Sequence, residues 1–181
     1  KDEELTIPTN ISSVGSDEVG TGDYYGPIVV TASFVAKENI PFLTELGVKD
    51  SKKLSDEQIL KIVPKIIKKI PYIVVAQFEP EKSYFNHLSE IPNPLKGITF
   101  ITKAEDKCFS VAVSSLISRY IFIKEMDKLG DKYGIFLPKG ANYYVEDVGI
   151  KLVNKYGEKV LHDVAKLNFS NTDRILKEVR K

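Results

Sequence analysis

The stretch Gly15-Ser16-Asp17-Glu18-Val19-Gly20-Thr21-Gly22-Asp23-Tyr24-Tyr25-Gly26-Pro27 constrains this chain most, because it sets three carboxylates and four glycines within thirteen positions. Two β-rich runs flank the glycines, Ser13 to Val19 and Ile28 to Phe34. Together they predict an antiparallel hairpin. Glycine lacks Cβ and tolerates positive φ, so the turn lets a ligand or another segment come close to the backbone. Neighbouring carboxylates inside a fold are costly unless something positive neutralises them, and a hard divalent cation does so through oxygen ligands. A solvated acidic hairpin loop has the same composition, so the rest of the chain decides between the two.

Beyond the hairpin the pattern turns mainly helical. A short helix is expected at Phe42 to Leu46, after Pro41 and before Gly47. Ser55-Asp56-Glu57-Gln58 reads as a capping box. Behind it Ile59, Ile62, Val63, Ile66, Ile67 and Ile70 recur at helical spacing, with Pro64 expected to kink or shorten the helix and Pro71 to end it. Tyr72 to Phe78 has the length and continuity of a buried strand. A short helix is expected within Glu79 to Leu88, and a strand at Ile98 to Ile101. Lys103 to Leu129 predicts one long helix with small residues (Ala112, Ser114, Ser115, Ser118) suited to close packing on a sheet, stopped by Gly130. Helices at Val145 to Tyr156, Glu158 to Val164 and Asp173 to Arg180 follow. Strands first and helices around them imply an α/β architecture with a mixed sheet.

A chain of 181 residues is long enough to bury a core as one domain. Residues 1–12 read as a linker or tail and 13–181 as the domain. Lys and Arg number 26 against 25 Asp and Glu, so bulk charge gives no argument for nucleic acid and a local basic patch must carry one. No apolar run is long enough to span a membrane. The single cysteine, Cys108, excludes a disulfide framework, fits a small core position and suits a reducing, cytoplasmic setting.

Three islands, taken in order, resemble the catalytic domain of bacterial ribonuclease HIII, in the type 2 ribonuclease H group. They are Gly15 to Pro27, Val48-Lys49-Asp50-Ser51-Lys52-Lys53-Leu54, and Pro138-Lys139-Gly140-Ala141. Ile101-Thr102-Lys103-Ala104-Glu105 and Ser115-Leu116-Ile117-Ser118-Arg119-Tyr120 add to the likeness, which covers nearly the whole chain. The resemblance implies a ribonuclease H-like fold, a mixed sheet with flanking helices. It also implies endonucleolytic cleavage of the RNA strand of an RNA–DNA hybrid by two-metal hydrolysis with Mg²⁺ or Mn²⁺. By the same likeness Asp17, Glu18 and Glu146 are catalytic, and with Asp147 they are the metal ligands. Gly20, Thr21, Gly22, Ser51, Lys52, Lys53 and Lys139 contact the hybrid, the glycine turn at the minor groove and the lysines at phosphates. No protein partner is implied.

The chain also departs from that family. A third carboxylate is expected after an apolar run, and the matching position in Tyr72-Ile73-Val74-Val75-Ala76-Gln77-Phe78 is Ala76, which cannot hold a metal. The fourth falls at Glu146, a methylene longer than the family's Asp. A block of several dozen residues is missing between Ile70-Pro71 and Tyr72, and a family His stands here as Asn168. Two readings follow: an endoribonuclease with impaired activity, or a hybrid-binding module that has lost turnover. A small-molecule phosphate binder is a third, although the glycine turn has neither a Walker GK[ST] nor a GxGxxG pattern.

Overall fold

The β-branched run that follows the glycine turn forms a strand buried along most of its length, and the first unit is built on it. The structure, a computed structural model, describes residues 10–48, 53–70, 72–73 and 108–181. Strands β1 (Ser13–Val19), β2 (Val29–Val35) and β3 (Tyr72–Ile73) form a sheet in the order β1-β2-β3. β2 and β3 are antiparallel, with Ala32 opposite Ile73 and Ser33 opposite Tyr72. β1 alternates in exposure, as a strand at the end of the strand order does, whereas β2 is buried from Val30 to Ser33. The expected strand to Phe78, the helix within Glu79 to Leu88 and the strand at Ile98 to Ile101 lie outside the described residues, apart from Tyr72 and Ile73.

The described residues also form six α-helices: α1 (Ile40–Glu45), α2 (Asp56–Lys69), α3 (Phe109–Tyr133), α4 (Tyr143–Tyr156), α5 (Val160–Val164) and α6 (Ser170–Val179). α1 starts two residues earlier than expected because Pro41 suits a helix's first turn, where no intrahelical N–H is needed. The capping box of α2 forms in full, with Ser55 N–H donating to Gln58 Oε1 at 2.9 Å and Gln58 N–H to Ser55 Oγ at 3.2 Å. Pro64 does not shorten α2, which runs through to Lys69 and buries Ile59, Val63 and Ile66.

Gly130 does not stop α3 either. The stop comes at Gly134, which takes φ of 61°. Ile135 N–H returns to the Gly130 carbonyl at 3.0 Å and Gly134 N–H to the Asp131 carbonyl at 3.3 Å. Those are the two bonds of a Schellman ending, which satisfy carbonyls the helix leaves open. None of the described helices is long and apolar enough to cross a membrane.

The chain divides into two compact units, Lys1–Glu18 with Val30–Ser118, and Val19–Val29 with Arg119–Lys181. In the first, a ladder of buried hydroxyls joins the start of α3 to the sheet. Ser33 Oγ donates to the Ser110 carbonyl at 2.8 Å and lies 2.9 Å from Ser114 Oγ. Ser114 Oγ donates to the Gly15 carbonyl at 2.8 Å. Ser118 Oγ lies 2.8 Å from Thr31 Oγ1 and donates to the Asp17 carbonyl at 3.1 Å. Ser110, Ser114 and Ser118 recur every four residues, so they share one helix face. All three are fully buried, and the bonds remove the penalty of burying a hydroxyl.

Cys108 opens the same ladder, 3.1 Å from Ser110 Oγ and 3.5 Å from Ser13 Oγ. Burial pushes its thiol up, but the hydrogen bonds with the Ser110 and Ser13 side chains, together with those from the backbone of Val111 and Ser110, hold it below the usual thiol range.

The second unit is organised by Tyr24 and Tyr25, both 0 % exposed. Around them pack Phe122, Met126 and Leu137, with Val145, Val148 and Leu152 of α4, Leu161 of α5 and Ile175 of α6. A Cβ on Gly149 would lie 2.3 Å from Ile175 Cδ1, so a glycine there lets α4 and α6 close on each other.

Gly15 tests the packing of helix on strand. A Cβ there would sit 2.4 Å from the Val111 backbone nitrogen, and backbone cannot move aside as a side chain can. Gly15→Ala is expected to cost about 1–3 kcal/mol, seen as a lower midpoint in urea denaturation followed by circular dichroism. An unchanged midpoint would contradict the contact.

Candidate functional site

The glycine turn is held by its own backbone and by the Pro138–Ala141 loop. Gly20 takes φ of 99°, and a Cβ on it would meet the Pro27 carbonyl oxygen at 2.4 Å. Only glycine suits that position. Asp23 N–H closes the turn on the Gly20 carbonyl at 3.2 Å. Gly22 differs: its φ is not in the left-handed region, and a Cβ on it would meet nothing among the described residues. Thr21 and Gly22 are both exposed.

Two hydrogen bonds in opposite directions bracket Gly140. Its N–H donates to Asp23 Oδ1 at 2.6 Å, and its carbonyl accepts from Tyr24 N–H at 2.8 Å. Two islands more than a hundred residues apart in sequence are thereby one piece of structure. The next residues extend the same anchoring. Tyr25 makes a single antiparallel bridge with Ala165. Gly26 N–H donates to the Val164 carbonyl at 2.9 Å and Lys166 N–H to the Tyr24 carbonyl at 2.9 Å. Tyr25 Oη donates to the Val145 carbonyl at 2.8 Å, and Tyr24 Oη lies 3.1 Å from Thr172 Oγ1.

Lys166 Nζ reaches the carbonyls of Tyr25 at 3.1 Å and Gly26 at 2.5 Å. Burial pulls its ammonium below the usual lysine range, and the charge of Asp23 offsets part of that.

Among the expected site residues, Asp17 and Glu18 lie inside β1, which runs on to Val19. Asp17 is half-buried and Glu18 exposed, as strand alternation dictates. Glu146 stands in the first turn of α4, capped by Asn142 Oδ1 on the N–H groups of Tyr144 and Val145 at 3.1 and 3.4 Å. Its Oε1 accepts from Asn171 Nδ2 at 2.9 Å and Arg174 Nε at 2.6 Å. Asp147, Lys53 and Lys139 are exposed. Ser51, Lys52 and Ala76 lie outside the described residues. Gly20, Thr21, Gly22, Lys139, Glu146 and Asp147 belong to the second unit, and Asp17, Glu18 and Lys53 to the first. Among the described residues, no group of three or more His, Cys, Asp or Glu side chains is gathered to hold a metal ion.

Sequence reasoning missed four contributors. Asp23 counted as one more carboxylate, although an Asp in a turn commonly accepts from a backbone N–H. Asn171 and Arg174 are three apart at the start of a helix and so share a face, a signal that was available. Lys166 gave none, because its partners are backbone carbonyls distant in sequence.

Comparison with known proteins gives one answer. The family model described as Ribonuclease HII matches residues 14–73 and 69–172. Ribonuclease HIII of Bacillus licheniformis is 38% identical, over 91% of this chain and 67% of its own length. Ribonuclease HIII of Lactococcus lactis subsp. lactis is 36% identical, over 91% of this chain and 72% of its own. The crystal structure of Bst-RNase HIII in complex with Mn²⁺ superposes with a TM-score of 0.88 at 33% identity, covering 96% of this chain and 72% of that one. The alignment to the Lactococcus protein spans 210 residues although this chain has 181, so that relative carries segments absent here. The two matched stretches of the family model meet at 69–73, where the missing block was expected. These likenesses show the expected fold, a mixed sheet with flanking helices.

The Gly140 bracket is testable on its own. Asp23→Ala leaves a part-buried N–H without its acceptor, which is expected to cost about 1–3 kcal/mol of stability. It is also expected to speed hydrogen exchange at the Gly140 amide, read by NMR. Unchanged protection of that amide would contradict the bracket.

Proposed function

The chain belongs to the ribonuclease HII/HIII family, and on that premise we propose that it binds RNA–DNA hybrids and cleaves their RNA strand endonucleolytically at an impaired rate. The observation that carries this reading is the pair of hydrogen bonds at Gly140, whose N–H donates to Asp23 and whose carbonyl accepts from Tyr24 N–H. It makes the exposed Thr21-Gly22 backbone and the loop bearing Lys139 a single presenting surface. The bareness of Gly22 serves no packing contact among the described residues. It is therefore open to a nucleic-acid backbone, at the kind of minor-groove contact where a 2′-OH separates RNA from DNA. Ser51, Lys52, Lys53 and Lys139 supply phosphate contacts in this reading. Residues 13–181 form the domain, and an unpaired Cys108 suits the cytoplasm.

The proposed impairment follows from the carboxylates. Asp17, Glu18, Glu146 and Asp147 offer oxygen donors, right in kind for Mg²⁺ or Mn²⁺. They are short in number and in freedom, because Ala76 replaces one expected ligand and Glu146 is engaged by Arg174 and Asn171. The same observations favour the second reading, a hybrid-binding module without turnover. The two diverge in a cleavage assay.

With a fluorescently labelled hybrid and Mg²⁺ or Mn²⁺, the chain is expected to cleave slowly or not at all. Asp17→Asn removes whatever cleavage remains, and Ala76→Asp raises the rate by roughly 100-fold or more. Efficient cleavage that Ala76→Asp leaves unchanged would overturn the proposal.

A further inference from the structure

Glu146 departs from what a metal-binding carboxylate needs. Its side chain is 20% exposed, and the same oxygen, Oε1, accepts from Arg174 Nε at 2.6 Å and Asn171 Nδ2 at 2.9 Å. Both donors are themselves fixed. Arg174 Nη1 donates to Ser170 Oγ at 2.8 Å, one helical turn back on α6. Asn171 is 2% exposed, and its Nδ2 also donates to the Ala141 carbonyl at 3.0 Å. The carboxylate therefore faces a full positive charge and a neutral donor at short range, both supplied by the first two turns of α6.

A carboxylate drawn largely out of water needs a neutralising charge, and here the chain provides one itself. A guanidinium does this well, since it is always charged and its planar fork matches a carboxylate.

We propose that Arg174 is a resident cation at Glu146, which competes with a divalent metal ion for this carboxylate and lowers the chain's metal affinity. The proposal rests on the reading of Glu146 as a member of the acidic cluster. Metal must displace Arg174 before it can use Glu146 Oε1, so the apparent affinity falls by the fraction of time that oxygen is released. The ion pair is half-exposed on the arginine side, which bounds the competition at about fivefold, or about 1 kcal/mol. The position is thus self-neutralised, and impaired turnover has a second source besides Ala76.

Mn²⁺ binding to the 181-residue chain, followed by the electron paramagnetic resonance signal of free Mn²⁺, tests this at fixed ionic strength. Arg174→Met is expected to tighten Mn²⁺ binding about fivefold, and Glu146→Gln in that background to remove the gain. Arg174→Lys, which keeps the charge but not the Nε geometry, is expected to fall between wild type and Arg174→Met, and it serves if the Met variant does not fold. Unchanged or weaker Mn²⁺ binding in Arg174→Met, with wild-type circular dichroism, would overturn the proposal. If Glu146→Gln weakens binding to the wild-type chain while Arg174→Met has no effect, competition alone is wrong. If Glu146→Gln has no effect in either background, Glu146 is not a metal ligand, and both this proposal and that part of the site reading fail.

Discussion

Gly140 is gripped from both sides, its N–H by the Asp23 carboxylate at 2.6 Å and its carbonyl by the Tyr24 N–H at 2.8 Å. The rest of the second unit depends on that grip. The two tyrosines that follow Asp23 turn inward to make the centre of the core. Their backbone carries the bridge to Ala165 and accepts from Lys166. One short segment thus orders the Lys139 loop, the first turn of α4 and the chain between α5 and α6. An acidic glycine turn that looks at first like a ligand site is also the structural anchor of its unit. Asp23 shows the division of labour: it is one of three carboxylates in the stretch, and its role is to hold backbone.

The first unit depends on a different device. Serines at 110, 114 and 118 give α3 a narrow polar face that meets β1 and β2 through hydroxyl bonds, while Gly15 lets the helix lie almost against the strand. Small side chains permit the approach, and the bonds make it specific in register, since a slip of one residue on the strand would leave every hydroxyl unpaired. Ser118 ends the ladder on the Asp17 carbonyl. The backbone that carries a proposed site carboxylate is therefore set by helix packing.

Much of this was legible in the residues, and the reasons for the remainder are physical. The β-branched runs, the Ser55 capping box and the apolar spacing of α2 are local signals, and they mark elements that formed where expected. Gly130 and Pro64 misled because a glycine or proline can be carried inside a long helix when tertiary packing outweighs its propensity. The end of α3 needed a left-handed residue followed by a returning N–H, which Gly134 and Ile135 supply. For the candidate site, the motif positions were visible as islands. What engages them was less visible: Asp23 to Gly140 and Arg174 to Glu146 are pairings across long sequence separations that no local pattern encodes.

On the proposed reading, the glycine turn and the Lys139 loop recognise the hybrid, while Ala76 stands where a carboxylate is expected and Glu146 is engaged by Arg174, so recognition of a hybrid outlives efficient cleavage. The most direct measurement is equilibrium binding of an RNA–DNA hybrid and of a DNA duplex of the same sequence, both in EDTA, across a range of salt. The account predicts tighter binding to the hybrid without any metal, weakening steeply as salt rises because lysines release counterions from phosphates. Equal affinity for the two duplexes, or no binding to either, would contradict it.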